Sequence, residues 1–307
     1  MGRYVARRLL LTIPVLLGAS FLIFAMVYAL PGDPIRALAG DRPLPAAVAA
    51  QLRDDFNLND PLVVQYVKYL GDLVQFDLGT DFRGREVTDT IAQRLPVTAK
   101  LALVAVVFET IIGLAAGVLA GIRRNGYFDN VVLVSTTLII SIPILVLGFF
   151  AQFVFGLKLG WFPIAGINEG WYSYLLPGLV LASGSLAYVA RLTRTSIAEN
   201  MKADYVRTAK AKGLPRRTII MRHTLRNSLI PVVTFIGADI GALLGGAIVT
   251  EAVFNIPGIG RAVFDAVQGQ EGAVVVGIVT LMVFFFVFFN LIVDVLYAVL
   301  DPRIRYD

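Results

Sequence analysis

Cysteine is missing from this 307-residue chain, and histidine occurs once, at position 223. Disulfides, thiolate metal sites, iron–sulfur ligation and a cysteine nucleophile are therefore excluded, and so is a site built from several histidines. Charge is scarce too. Asp, Glu, Lys and Arg make up 16% of the residues, where a soluble domain carries about 25%. Apolar residues take their place: 57% of the chain is hydrophobic and the mean hydropathy is +0.75. Disorder needs low hydrophobicity and high net charge, so this chain is not disordered. The composition speaks against an ordinary cytosolic enzyme and predicts a multi-pass membrane protein.

A membrane helix needs about 20 predominantly apolar residues. Six stretches qualify: 9–30, 97–122, 131–157, 175–189, 229–254 and 273–300. The first follows Arg3, Arg7 and Arg8 and precedes Ala37-Leu38-Ala39, which resembles a leader cleavage site. Its apolar run exceeds the 7–15 residues typical of a leader core, so a retained anchor is expected. The net charge of +5 belongs to loops on the inner side of the membrane rather than to a nucleic-acid surface. Arg123 and Arg124 separate spans two and three. Residues 191–226, between spans four and five, hold ten basic residues against Glu199 and Asp204. Residues 31–96 hold seven basic and ten acidic residues, and 158–174 only Lys158 and Glu169. Both termini are thus expected in the cytoplasm. Trp161, Trp171, Tyr172 and Tyr174 mark an outer boundary, as interfacial aromatics do.

Two loops are longer than turns require. In the outer one, Asn59 and Asp60 precede Pro61, which reads as a cap followed by proline at the first helical position. Leu62, Val63, Tyr66, Val67, Leu70, Leu73 and Val74 then recur at helical spacing. A small helical subdomain is expected there, either as a lid on the bundle or as a ligand site. In the inner loop, Asp204 is placed to cap a short helix that Gly213 stops and Pro215 cannot continue. That helix is expected to show a small face (Ala203, Ala209, Ala211) and a basic face (Arg207, Lys210, Lys212). A second helix resumes through Arg217, Ile219, Ile220, Met221 and Leu225. The basic loop fits three roles: topology-setting charge, binding of anionic lipid head groups, or docking of a cytoplasmic partner.

The run Asp204-Tyr205-Val206-Arg207-Thr208-Ala209-Lys210-Ala211-Lys212-Gly213 resembles the coupling loop of ATP-binding-cassette importer permeases. The form is that of the dipeptide/oligopeptide/nickel branch, where Arg-Thr-Ala stands in place of the wider superfamily's Glu-Ala-Ala. Other short motifs follow in the family's order over nearly the whole chain. These are Leu30-Pro31-Gly32-Asp33-Pro34, Asp77-Leu78-Gly79, Arg191 with Arg194, and Arg226-Asn227 with Leu229-Ile230-Pro231. Then come Glu251, Phe254, Ile256-Pro257-Gly258-Ile259-Gly260 and Asp301-Pro302-Arg303. Before span six the family often has an Asp-Tyr-Pro-like stretch, and this chain has Glu271-Gly272-Ala273.

The resemblance implies an all-α, six-span type I importer permease in the bacterial cell membrane. Its organisation would be a first segment and span (1–30), an extracytoplasmic helical subdomain (31–96), a five-helix core (97–300) with its coupling loop at about 191–226, and a cytoplasmic tail (301–307). It implies a heterodimer with a second permease, two ATPase subunits and an extracytoplasmic peptide-binding protein. It places the coupling helix at Ala203, Asp204, Tyr205, Val206, Arg207, Thr208, Ala209, Lys210, Ala211, Lys212, Gly213 and Leu214. The chain contains no Gly-Lys dipeptide, so it lacks a phosphate-binding loop of the Gly-x-x-x-x-Gly-Lys-Ser/Thr kind. No cofactor is expected in the chain itself; ATP and Mg belong to the partner subunits.

Ionisable residues at membrane depth are costly and mark function by default. Glu109 and Asp239 are candidates for the translocation path, with Gly241 and Gly245 beside Asp239. Asp294 reads as a structural charge. The alternative for the carboxylates is pairing with hydroxyls, backbone groups or other helices. Gly113, Gly117 and Gly121, and Gly237, Gly241 and Gly245, recur at the spacing that lets helices approach closely. Pro143 and Pro231 are expected kink points. Two competing classes remain open: a secondary transporter or channel, which predicts internal repeats and ion sites, and an intramembrane enzyme, which needs a catalytic constellation at depth.

Overall fold

The computed structural model describes residues 2–28, 45–55 and 57–300. Among these the regular elements are helical, and the one extended pairing is an isolated antiparallel bridge between Thr80 and Glu86. Leu30 to Pro34, Asp301 to Arg303 and the cleavage-like Ala37-Leu38-Ala39 lie outside the described residues.

Five helical stretches are long and apolar enough to cross a membrane: Arg7–Tyr28, Val87–Ile122, Gly170–Asn200, Arg216–Gly245 and Gly272–Val293. A sixth candidate, Tyr127–Ser141 with Ile144–Lys158, is bent by 104° at its break. The helices are α1 (Gly2–Tyr28), α2 (Ala46–Asp55), α3 (Leu62–Val74), α4 (Val87–Phe108), α5 (Leu114–Ile122), α6 (Tyr127–Ser141), α7 (Ile144–Ala151) and α8 (Leu175–Asn200). There follow α9 (Asp204–Ala211), α10 (Leu225–Gly246), α11 (Ile248–Val253), α12 (Ile259–Gln268) and α13 (Gly272–Leu300). Span two joins α4 to α5 through a π-helical turn, Glu109–Gly113.

Three expected outlines change. Pro143 makes a corner rather than a kink, because the residue before proline is pushed out of the helical region, and Ile142 is extended at φ −92, ψ 123. The fourth span runs on through Arg191 and Arg194 to Asn200. The fifth stops at Gly246, and the apolar residues after it form the separate short helix α11. Pro231, by contrast, sits inside α10 without breaking the span.

Helix α8 is the central post, buried from Leu176 to Ala198 along much of its circumference. Span two lies directly on its backbone. A Cβ on Gly117 would stand 2.5 Å from the Thr193 Cβ and 2.6 Å from the Ala190 carbonyl oxygen; Gly113 meets Val189 and Gly121 meets Ile197 in the same way. The glycine repeat is therefore a packing seam, where small residues let two backbones touch. Leu101, Ala105, Leu176, Val180, Phe254 and Ile256 form the main core, and Val87, Ile91, Ile259, Val263 and Ile278 a second one where α4, α12 and α13 meet. Large apolar side chains on α1, α6 and α7 point outward, as the lipid-facing side of a membrane helix requires.

Helix α3 starts at Leu62, so Pro61 is its cap residue and neither Asn59 nor Asp60 caps it by side chain. The Pro61 carbonyl accepts the N–H groups of Val64 and Gln65 at 2.8 and 3.1 Å. Two tyrosines fasten α3 to the bundle. The Tyr66 hydroxyl donates to the Leu17 carbonyl at 3.0 Å and meets the Ser20 hydroxyl at 2.9 Å, both on α1. The Tyr69 hydroxyl donates to Thr280 on α13 at 2.9 Å.

Candidate functional sites in the 191–226 loop and the membrane interior

The short helix expected between spans four and five is present as α9. Its start differs from expectation. Ala203 is the cap residue, extended at φ −65, ψ 152, and Asp204 is the first helical residue, with no side-chain cap. Asp204 still places a negative charge at the positive end of the helix, and its carboxylate meets Arg207 at 3.3 Å. The end follows the expected glycine stop. Gly213 takes φ +76, a left-handed conformation that costs glycine nothing. The Gly213 N–H donates to the Lys210 carbonyl and the Leu214 N–H to the Ala209 carbonyl, at 3.0 and 3.2 Å, which is the paired closure of a Schellman motif.

Ala209 does not lie on an outward small face. With Val206 it is buried against Ile219, forming a small core under the helix. The residues left outside are Asp204, Tyr205, Arg207, Thr208, Lys210, Ala211, Lys212, Gly213 and Leu214. That surface is basic, with one aromatic and one aliphatic side chain at its ends.

The loop is tied to two spans at its base. Beyond Pro215 the chain makes the single turn Arg216–Thr218 and then a π-helical turn, Ile219–Thr224, rather than a regular helix. The Thr224 hydroxyl contacts the Met201 sulfur at 3.4 Å, and the Ser228 hydroxyl reaches the Ser196 carbonyl at 3.3 Å. These bonds join the end of α8 to the start of α10 beneath α9. Arg194 on α8 forms a two-pronged ion pair with Asp129 on α6, one prong at 2.8 Å; Asp129 is 1% exposed and also accepts the Asn125 N–H at 2.7 Å. Spans three, four and five are thus linked to one another at the base of the loop.

Inside the membrane, the fold brings Glu109 and Asp239 together. Glu109, 0% exposed, sits at the start of the π-helical turn in span two. Neither of its carboxyl oxygens has a hydrogen-bond partner among the described residues; the Asp239 carboxyl on α10 is the titratable group near it. Gly241 backs onto Phe286 of α13, with Cα of Phe286 3.1 Å from a would-be Cβ, whereas Gly245 has open space beside it. Asp294 lies on α13, and its side chain lies outside what the structure describes.

Glu251 carries a role its sequence motif left unassigned. It is 0% exposed on α11 and accepts the Thr98 hydroxyl at 2.6 Å and the Arg261 N–H at 2.9 Å. Thr98 in turn accepts the Ile259 N–H at 2.8 Å. Together they satisfy the first N–H groups of α12, which have no partner inside their own helix. Gly258 leaves the room: a Cβ there would stand 2.2 Å from the Glu251 carboxylate. The signal in the sequence is an acidic residue inside an apolar run, followed within a few residues by Pro257-Gly258.

Among known proteins, residues 113–306 match the family model described as binding-protein-dependent transport system inner membrane component, and residues 1–102 match its N-terminal companion. The chain is 41% identical over 307 residues to the glutathione transport system permease protein GsiC of Escherichia coli (strain K12), covering 100% of both. It is 36% identical over 334 residues to the dipeptide transport system permease protein DppB of Alkalihalophilus pseudofirmus, again covering 100% of both. A solved structure of the MetNI methionine ABC transporter, in an inward-facing conformation, contains a chain of the same fold: TM-score 0.60 at 18% identity, covering 70% of this chain and 97% of that one. By the family match and the full-length relatives, this chain belongs to the inner membrane components of binding-protein-dependent transport systems, the permease subunits of ATP-binding-cassette transporters.

Proposed function

We propose that this permease pairs with a second, homologous permease to form the path by which short peptides, of dipeptide to tripeptide size, are imported. Two ATPase subunits would sit against α9 and its neighbours, and an extracytoplasmic peptide-binding protein would deliver the cargo. The observation that carries this reading is α9 itself: a helix closed at its end by Gly213, held from beneath by Val206, Ala209 and Ile219, and presenting Tyr205, Arg207, Lys210, Ala211, Lys212 and Leu214 outward. A polybasic lipid tether needs neither the buried anchor nor the terminated helix. A docking element needs both, because only a helix of fixed orientation transmits movement. The relatives named for glutathione and dipeptide transport support the size and chemistry of the cargo.

On this reading the chain has four working parts. The segment 1–30 supplies the peripheral first span, 31–96 the outer subdomain, 97–300 the permease core with its coupling loop at about 191–226, and 301–307 a cytoplasmic tail. ATP and Mg act in the ATPase subunits. The test is purification of the chain from its native membrane in mild detergent, with mass spectrometry of the co-purifying proteins. A second permease and two ATPase chains are expected. Recovery of the chain alone, under conditions that preserve related complexes, would overturn the proposal.

A further inference from the structure

Helix α3 has three faces, set by its 3.6 residues per turn. Leu62, Tyr66, Tyr69 and Leu73 form the first, which is partly covered and carries the bonds to α1 and α13. Gln65, Lys68 and Asp72 form the second and line a cavity of about 450 Å³, together with Asp77 and Asp81. Val63, Val67 and Val74 form the third, and all three are exposed. Phe76, just past the helix end, is exposed as well. A contiguous row of large apolar side chains at a protein surface marks contact with something apolar.

The tyrosine bonds fix how deep that row lies. Leu17, whose carbonyl accepts from Tyr66, is in the middle of the span Arg7–Tyr28, eleven residues from its Tyr28 end. Thr280, which accepts from Tyr69, is eight residues into the span Gly272–Val293. The two span ends lie side by side, since a Cβ on Gly272 would stand 3.1 Å from Val27 and 3.2 Å from Tyr28. At about 1.5 Å of rise per residue, the contacts are roughly 16 and 12 Å below those ends. A tyrosine side chain is too short to cover that depth, so α3 itself lies below the level at which α1 ends. The same side of α1 is apolar and open: Phe21 meets the Tyr66 ring edge-on, and both Phe21 and Leu17 are exposed. The row on α3 thus continues the lipid-facing surface of α1. A helix lying in a membrane interface has this build, with its apolar face sunk about 5–10 Å into the acyl boundary and its polar face in water.

We propose that α3 is an interfacial helix whose Val63, Val67 and Val74 face rests on phospholipid acyl chains, in the leaflet where α1 ends and α13 begins. The partner is the bilayer itself. Tyr66 and Tyr69 hold the helix at a fixed depth, and Gln65, Lys68 and Asp72 keep its other edge in water. Anchored on both sides, α3 braces α1 against α13 and does not lift off as a lid.

The absence of cysteine from the chain makes a direct test available. Val67→Cys and Asp72→Cys are introduced separately. Each protein is purified with the subunits that accompany it, labelled with a thiol-specific nitroxide and reconstituted in vesicles of phosphatidylethanolamine and phosphatidylglycerol. The unsubstituted protein sets the background from cysteines in other subunits. Power saturation of the nitroxide signal then reads collisions with oxygen, which concentrates among acyl chains, and with a water-soluble nickel chelate. The label at position 67 is expected to collide more with oxygen than with the chelate, and the label at position 72 in the reverse order. A chelate preference at position 67 puts the row in water, and few collisions with either reagent put it under another protein chain; each result overturns the proposal. Val74→Cys, read in the same way, covers the case in which the first variant fails to assemble.

Discussion

Glu251 shows how a single buried charge is made tolerable. Its carboxylate is fully enclosed, and every bond it makes goes to a group that needed an acceptor: the Thr98 hydroxyl and the Arg261 N–H at the start of α12. Removing it strands those donors in the core, which costs about 3 kcal/mol or more. Glu251→Ala is therefore expected to lower the thermal unfolding temperature of the detergent-purified protein by several degrees, and Glu251→Gln by less, since the amide keeps one acceptor. A variant as stable as the parent would refute this role. Asp81 makes the same point outside the spans, with a pH readout. Burial raises its pKa, but the Arg85 and Arg83 N–H groups and the Arg85 guanidinium outweigh that and hold it below the ordinary 3.8. A depressed carboxylate stabilises the fold above its unfolded pKa, and that contribution is lost as the pH falls through the folded value. The stability advantage of the parent over Asp81→Asn should therefore shrink as the pH drops from about 5 to 3. An advantage that stays constant over that window contradicts the assignment.

At the scale of elements, the sequence was readable wherever local chemistry decides. Apolar runs set the spans, Gly213 sets the end of α9, and the four-residue glycine repeat sets the seam between span two and α8. That seam carries its own prediction. Gly117→Leu forces a side chain into space occupied by Thr193 and the Ala190 carbonyl. It should destabilise the helix pair by about 1–3 kcal/mol, seen as loss of folded protein in fluorescence-detected gel filtration, while Gly245→Ala should leave the elution unchanged because nothing stands within 4 Å of that position. The same local logic missed what depends on distant neighbours. The 104° corner at Pro143 needs α7 to lie against α11, where a Cβ on Gly148 would stand 3.1 Å from Val253. The bond between Glu251 and Thr98 joins helices far apart in the chain, and nothing in either neighbourhood encodes it. Ala209 was legible in part. Its spacing of three from Val206 puts both on one helical face, but only the position of Ile219 shows that this face points inward.

For the molecule as a whole, the proposed coupling works as a lever with a fixed fulcrum. The seam binds span two to α8, the Asp129–Arg194 pair binds span three to it, and the bonds of Ser228 and Thr224 bind span five, so α9 hangs from spans that are tied to one another. On the proposed reading, permease and ATPase meet at the outward face of α9, and energy passes through it. The most direct test compares two substitutions at neighbouring positions in the reconstituted complex, measuring ATP hydrolysis and peptide uptake together. Ala211→Glu changes the outward surface and leaves the small core beneath untouched. Ala209→Glu buries a charge in that core. Ala211→Glu is expected to preserve the unfolding temperature and lower uptake at least about tenfold, as loss of an interface hot spot does, whereas Ala209→Glu lowers stability and uptake together. Full uptake in a stably folded Ala211→Glu complex would contradict the claim that α9 is the element through which ATP drives transport.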